Sequence, residues 1–98
     1  MYVQEVVLAW TWDPTKDTKN RKNHGLPLSI GEVGLADPLA VSQADMHPDG
    51  DRWNTLCQIG NVTLFIVHTW PDEPMPGRII SVRKATSHER RAYENGKY

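Results

Sequence analysis

The chain has 98 residues, of which 39% are hydrophobic and 23% charged, and its formal net charge is −1. These values are typical of one globular domain over residues 1–98 and exclude disordered, collagen-like and coiled-coil chains. The single cysteine, Cys57, excludes an intramolecular disulfide and a multi-cysteine zinc site. The longest apolar run, residues 62–67, is too short to cross a membrane, and the N-terminus lacks the basic start of a signal peptide. We therefore expect a cytoplasmic protein.

The chain begins with a predicted strand over residues 3–12, which are rich in Val, Leu and Trp. Alternation along this strand places Trp10 and Trp12 on its core face. Asp13-Pro14 is a typical helix start, and Gly25 followed by Pro27 is a typical helix end, so a helix is expected from Pro14 to about Asn23. Because this helix has no large apolar residue, an ordinary hydrophobic stripe cannot hold it.

A short second helix is predicted from the capping-box pattern of Ser29 and Glu32, and it ends before Asp37-Pro38. Gly31 and Gly34 lie inside this helix and weaken the prediction.

The second half of the chain predicts mainly strands. Residues 39–44 form a short predicted strand, and residues 52–59 and 62–70 form a hairpin around Gly60-Asn61. The second hairpin strand is almost continuously apolar, which is typical of a central strand. A proline-rich loop, a strand over 78–84 and a helix opened by the capping box Thr86-Ser87-His88-Glu89 and ending near Gly96 complete the chain. The expected fold is α+β: a mostly antiparallel sheet with two N-terminal helices and a C-terminal helix.

Charge is distributed unevenly along the chain. The segments 14–25 and 78–98 are basic, whereas residues 26–51 contain acids and no lysine or arginine. If the two basic segments meet in the fold, they form a surface suited to a polyanion.

Few side chains are arranged for chemistry. Lys16, Asn20 and His24 are spaced i, i+4, i+8 and therefore line one face of the first predicted helix. Two interpretations of His24 are open. It donates or accepts a proton in a reaction, or it caps the helix. Cys57 lies within an apolar strand, as a buried structural thiol does. The acids around His47 are interpreted as a solvated loop, and no metal site is expected.

The strand over 78–84 carries two arginines, Arg78 and Arg83. Strict alternation places them on opposite faces unless a bulge intervenes or Arg78 lies before the regular strand. Each can hold a phosphate, pair with a carboxylate, or protect an edge strand by its charge.

The sequence resembles the BrnT toxin family of type II toxin–antitoxin systems over nearly its whole length. The most specific features are the Trp-Asp-x-x-Lys start, the His-Gly after the first helix and the Arg-Ile-Ile-Ser-x-Arg strand. The matching residues in chain order are Trp12-Asp13-Pro14, Lys16, Asn20-Arg21-Lys22-Asn23-His24-Gly25, Asp37-Pro38, Asp51-Arg52, Ile59-Gly60, residues 78–86, Glu89-Arg90 and Tyr93.

This resemblance implies a RelE-like fold and a ribonuclease inhibited by a BrnA-like antitoxin. It also implies that operator DNA is bound only through the toxin–antitoxin complex, within which the toxin is expected to form a dimer. For metal-independent RNA cleavage without a cofactor, the chain offers His24 as acid or base and four phosphate-binding cations. These cations are Lys16, Arg52, Arg78 and Arg83. Further RNA contacts are predicted for Lys19, Arg21, Lys22 and Lys84.

The chain departs from the family pattern at several positions. Thr11 and Asn23 stand where the family often has Glu and Lys, Asp51 where it prefers Glu, and Val82 where it prefers Ala. Asn23 adjoins His24, so its departure bears on catalysis. The alternatives to an enzyme are a non-catalytic nucleic-acid-binding module and a protein-interaction module on the same fold.

Overall fold

The computed structural model describes residues 9–48 and 50–98, which form five strands and three helices. The strands and helices, in chain order, are β1 (Trp10–Thr11), α1 (Pro14–His24), α2 (Ile30–Gly34), β2 (Val41–Asp45), β3 (Arg52–Ile59), β4 (Val62–His68), β5 (Gly77–Lys84) and α3 (Ser87–Glu94). The architecture is α+β, as expected from the sequence.

The five strands form one mixed sheet in the order β1-β5-β4-β3-β2. The pairs β2–β3, β3–β4 and β4–β5 are antiparallel, but β1 runs parallel to β5. The prediction of a mostly antiparallel sheet is therefore wrong. A parallel pair needs a crossover connection, and here helices and the other strands separate β1 from β5 along the chain.

The first strand is shorter in the structure than in the prediction. Residues 3–8 of the predicted strand lie outside the described residues, and only Trp10 and Thr11 pair with β5. The predicted alternation is confirmed at its end, because Trp10 and Trp12 pack against the core while Thr11 is exposed. The predicted strand over residues 39–44 is shifted to Val41–Asp45.

The predicted hairpin is confirmed. β3 and β4 pair from Trp53 opposite His68 to Ile59 opposite Val62, and Gly60 turns the chain with φ of 60°. β4 is the central strand, as its apolar sequence indicates. The buried core combines residues of β3, β4 and β5 with Leu28, which precedes α2.

Helix α2 lies very close to the sheet. A Cβ added at Gly34 would be 2.7 Å from the Cys57 sulfur, and one at Gly31 would be 3.1 Å from Ile79 Cδ1. The two glycines that weaken α2 by propensity are therefore required by its packing. The predicted capping box is wrong: Ser29 has helical dihedrals and its side chain caps nothing, because the turn from Pro27 already runs into the helix.

The arrangement of the helices also differs from the prediction. Helix α1 lies along the edge of β5, and α2 packs on the face that carries Cys57 and Val82. Neighbouring residues of a strand point to opposite faces, so Arg83 lies on the face opposite to Val82. Glu89 of α3 pairs with Arg83, and α3 therefore packs on that opposite face. The predicted capping box of Thr86 and Glu89 at the start of α3 is confirmed. No helix in the described part of the chain is long and apolar enough to cross a membrane.

Asp37, between α2 and β2, connects the two layers of helices. One carboxylate oxygen accepts from the Gln58 backbone N–H at 2.9 Å and from the Tyr93 hydroxyl at 2.6 Å. Burial raises the pKa of Asp37, but these bonds and one from the Leu39 N–H outweigh it, so the pKa is lowered. The hydrogen bond to Asp37, together with burial, raises the pKa of the Tyr93 hydroxyl to about 12. Asp37 thus joins the C-terminal end of β3 to α3.

Candidate functional site

Helix α1 is held by its ends and by one buried amide. Asp13 accepts from the Thr15 N–H at 2.8 Å, and Gly25 closes the helix with φ of 70°. The helix runs one residue beyond the predicted Asn23, to His24. Its one buried residue is Asn20, which is 4% exposed. The structure therefore confirms a helix that is polar on all sides.

Asn20 pairs with the backbone of β5 as a neighbouring strand would. Its Nδ2 donates to the Val82 carbonyl at 2.8 Å, and its Oδ1 accepts from the Val82 N–H at 3.0 Å. Within residues 9–48 and 50–98, β1 pairs only with Gly77 and Arg78, so no described strand pairs with Val82 on this side. The second Nδ2 hydrogen is donated to the Leu26 carbonyl at 2.8 Å. The amide satisfies buried backbone groups and so replaces a hydrophobic stripe.

Asp17 fastens α1 to the chain that follows it. One carboxylate oxygen accepts from the Leu28 N–H at 2.7 Å, and the other pairs with Arg21 Nε at 3.1 Å. Since Leu28 is fully buried, this bond connects the helix to the core. Arg21, one of the predicted RNA contacts, is engaged in an i,i+4 pair with a carboxylate.

A pocket of about 180 Å³ lies between α1 and β5, and we call it the α1–β5 pocket. It is lined by Lys16, Lys19, Asn20, Asn23, His24, Ile80 and Ser81. The structure thus brings together two predicted catalytic residues, Lys16 and His24, and one predicted RNA contact, Lys19. No carboxylate of residues 9–48 or 50–98 lines this pocket, so the described part of its lining is positively charged. The helical spacing of Lys16 and His24 was sufficient to find them, whereas nothing in the sequence indicated Ser81.

Arg83 is bound to a carboxylate. Its two terminal nitrogens donate to the two oxygens of Glu89 at 2.8 and 2.9 Å, and its guanidinium lies 4.0 Å from the centre of the Phe65 ring. The bonds to Glu89 raise the pKa of Arg83, and the bonds from Arg83 hold the pKa of Glu89 at about 2. This geometry favours a structural role. The predicted phosphate contact of Arg83 stays a prediction.

Arg78 lies on the same face of the sheet as Arg83. Val67 is opposite Ser81 but His68 is opposite Ile79, so Ile80 is an extra residue on β5. This bulge reverses the alternation, which is one of the two conditions under which the sequence allows the two arginines to share a face. The extra residue, Ile80, lines the α1–β5 pocket.

A second pocket, of about 350 Å³, surrounds Arg78 at the start of β5, and we call it the Arg78 pocket. It is lined by Thr11, Asp51, Thr69, Trp70, Asp72, Met75, Pro76 and Arg78. The Arg78 side chain is exposed, and it makes no ion pair with any carboxylate of residues 9–48 or 50–98. Sequence reasoning missed Trp70 and the acids here, because a loop brings them to β5.

The remaining predicted site residues lie outside both pockets. Arg52 is on β3, opposite Asp45 of the edge strand β2 and separated from β5 by β4. Lys22 is exposed on α1. Lys84 is exposed at the end of β5, where it lines a shallow cleft with Arg90. The structure therefore does not bring the five predicted catalytic residues into one cluster.

His68 is fully buried, and the sequence indicated no role for it. His68 Nδ1 is 3.0 Å from the Thr69 carbonyl, which can only accept, so Nδ1 carries the proton. Its Nε2 then accepts from the Thr55 hydroxyl at 2.6 Å, which in turn contacts the Ser42 hydroxyl at 2.6 Å. Burial lowers the pKa of His68. Burial therefore favours the neutral form of His68.

The sequence offers two further candidates for reactive or metal-binding groups, Cys57 and the acids around His47. Cys57 is fully buried, as predicted, and burial raises its pKa to about 12. Among the described residues, no three His, Cys, Asp or Glu side chains are grouped to hold a metal ion. Asp49, in the acidic loop around His47, lies outside the described residues.

Comparison with known proteins shows a match to a protein family. A family model described as "Ribonuclease toxin, BrnT, of type II toxin-antitoxin system" matches residues 12–89. This range extends from Trp12 to Glu89, so it contains all of the α1–β5 pocket, both arginines of β5 and the partner of Arg83. No curated protein matches the chain.

Proposed function

The chain belongs to the BrnT family of ribonuclease toxins of type II toxin–antitoxin systems, and from this premise we propose that it is a metal-independent endoribonuclease whose reaction occurs at the α1–β5 pocket. The observation that carries the proposal is the composition of this pocket, which among the described residues has two lysines and a histidine but no carboxylate. A pocket of that charge attracts a phosphodiester and repels no part of it.

Cleavage transfers the 2′-oxygen of a ribose to the adjacent phosphorus and expels the 5′-oxygen. A base takes the proton of the 2′-hydroxyl, and an acid gives a proton to the leaving oxygen, so protons balance and the product ends in a 2′,3′-cyclic phosphate. His24 is suited to one of these transfers, because histidine exchanges a proton near neutral pH. Lys16 and Lys19 stabilise the added negative charge of the pentacoordinate phosphorus.

Asn23 replaces the lysine that the family often has beside the histidine, and it lines the pocket. The pocket nevertheless retains two lysines on α1, so the loss of this third cation leaves a positive phosphate site. A binding module without catalysis would use the same lysines. Cleavage, rather than RNA affinity, is therefore the observation that distinguishes an enzyme from a binder.

The first test is cleavage of a single-stranded RNA by the purified protein in excess EDTA. We expect cleavage with 2′,3′-cyclic phosphate ends, and a loss of about 100-fold or more for His24→Ala, the magnitude typical of general acid–base groups. Lys97→Ala is the matched control, because Lys97 is an exposed cation outside the pocket. Intact RNA, or equal rates for His24→Ala and wild type at equal folding, would contradict the assignment.

A type II toxin has an antitoxin partner, and we propose that this antitoxin is BrnA-like and neutralises the chain in the cytoplasm. Operator DNA would be bound through the toxin–antitoxin complex, and the toxin would be dimeric within it. Expression of the chain alone should arrest growth, and co-expression with the product of an adjacent reading frame should restore it.

A further inference from the structure

Trp70 offers a flat apolar surface in the Arg78 pocket. Its side chain is 40% exposed, and the neighbouring Met75 is 66% exposed. The ring is held edge-on by His68, with centroids 4.6 Å apart at 85°, and by Trp53, with centroids 6.0 Å apart at 62°. An indole that is fixed by its neighbours and open on one side is suited to stack on a planar base.

The charges of the Arg78 pocket differ from those of the α1–β5 pocket. Arg78 shares its pocket with two carboxylates, Asp51 and Asp72, but is paired with neither. The carboxylates repel a phosphate, so an anionic ligand is disfavoured here. A neutral ligand that presents both donors and acceptors satisfies the guanidinium and a carboxylate together.

Guanine has the hydrogen-bonding groups that this pocket requires. An arginine fork donates to its O6 and N7 acceptors. Its N1–H and amino group donate to a carboxylate, which accepts only. Uracil has no N7 and no amino group. We propose that the Arg78 pocket binds one unpaired guanine, stacked on Trp70 and read by Arg78 and an aspartate.

The two pockets lie along one strand. Arg78 and Ser81 are three residues apart on β5, which is about 10 Å at the usual rise of a strand. The bulge at Ile80 places both on the same face of the sheet. A single RNA strand can therefore hold its guanine in the Arg78 pocket and a nearby phosphate in the α1–β5 pocket. The inference rests on the proposed function in taking RNA as the ligand.

The test measures binding of RNA oligomers with every 2′-hydroxyl methylated, so that no cleavage occurs. One oligomer is all uridine, and the other has one central guanosine; fluorescence anisotropy gives both dissociation constants. We expect the guanosine oligomer to bind on the order of tenfold more tightly, the discrimination typical of a bidentate base contact. Arg78→Gln should abolish this preference. Trp70→Ala should weaken binding about 5- to 100-fold, and Trp70→Phe should retain most of it.

Leu39→Ala and Arg91→Gln serve as controls, because each removes an exposed side chain of the matching kind outside both pockets. Thermal unfolding establishes that each variant is folded. If Trp70→Ala does not fold, Arg78→Gln decides, since the Arg78 side chain is exposed.

Equal affinity of wild type for the two oligomers, or a preference for guanosine that survives in Arg78→Gln, would overturn the proposal. Variants that lose the antitoxin but keep the guanosine preference would assign this surface to the protein partner instead. The outcome is separable from the proposed function. A wild-type protein that prefers guanosine but cleaves no RNA refutes the ribonuclease and keeps the pocket, and cleavage without base preference does the reverse.

Discussion

At the scale of single residues, the bidentate pair of Arg83 and Glu89 decides how the arginines of β5 are divided. Both terminal nitrogens of Arg83 donate to Glu89, and the guanidinium stacks on Phe65, whereas Arg78 is exposed without an ion pair among the described residues. The Arg-Ile-Ile-Ser-x-Arg motif contains both arginines and does not distinguish their roles. Their surroundings assign Arg83 to joining α3 to the sheet and leave Arg78 accessible to a ligand.

This division gives a prediction for Arg83→Ala. Removal of a partly buried pair leaves Glu89 without its partner, so we expect a loss of about 1.5–3 kcal/mol of unfolding free energy. The melting temperature should fall by roughly 10 °C. Arg83→Lys should recover part of the loss, because lysine keeps the charge without the planar fork. Thermal unfolding of the three proteins measures this. A melting temperature of Arg83→Ala equal to wild type, together with a large loss of RNA cleavage, would restore the phosphate role instead.

At the scale of helices and strands, α1 is a polar helix that lies along the part of the β5 edge that β1 does not pair with. Asn20 occupies both backbone groups of Val82, which a strand would otherwise pair. The helix is thereby fixed with Lys16, Lys19 and His24 beside Ser81. Lys16, Lys19 and His24 are exposed to a ligand because polar bonds of Asn20 and Asp17, rather than a stripe of apolar residues, hold the helix.

Asn20→Ala should release this helix. The buried N–H and C=O of Val82 and the Leu26 carbonyl lose their partner, at about 1–3 kcal/mol for each group left unsatisfied. Hydrogen exchange of the α1 amides should accelerate much more than that of the β3–β4 hairpin, and RNA cleavage should fall with it. Asn23→Ala is the matched control for hydrogen exchange but not for cleavage, because Asn23 is exposed and makes no such bonds but lines the α1–β5 pocket. Uniform acceleration in both regions would show that Asn20 acts on global stability instead.

At the scale of the whole molecule, three groups with lowered pKa values, Asp37, Glu89 and His68, set how stability depends on acid pH. Glu89 has a folded pKa of about 2 against an ordinary value of 4.5, through its bonds with Arg83. Its contribution is complete above pH 4.5 and is lost as pH falls toward 2. Burial lowers the pKa of His68 from 6.5, so its neutral form is favoured in the folded state, and stability is lost as pH falls below 6.5.

We therefore expect the unfolding free energy to be highest between pH 6.5 and 9, because burial raises the pKa of Cys57 from 9.0 and its stabilising effect is lost at higher pH. On acidification it should fall in two stages, below 6.5 and again below 4.5. Denaturant unfolding at a series of pH values measures the profile. Glu89→Gln should lower the plateau and reduce the second stage to the contribution of Asp37, while leaving the first in place. Stability that rises between pH 7 and 5 would contradict the buried neutral His68.

The sequence by itself determined the elements whose signals are local. Asp13-Pro14 and Gly25 bounded α1, Gly60-Asn61 set the hairpin, and Thr86 with Glu89 opened α3, because caps and tight turns are formed by residues close in the chain. Helical spacing also put Lys16 and His24 on one face. The capping box at Ser29 failed because that motif competes with other local turns.

The tertiary structure decided what depends on residues distant in the chain. Pairing of β1 with β5 made the sheet mixed, and the bulge at Ile80 brought Arg78 to the face of Arg83. Contact with Cys57 turned Gly34 from a weak helix residue into a required one. The partner of Arg83 and the meeting of Trp70 with Arg78 also needed the fold. A sequence specifies which groups are available, but strand register and the path of loops decide which of them touch.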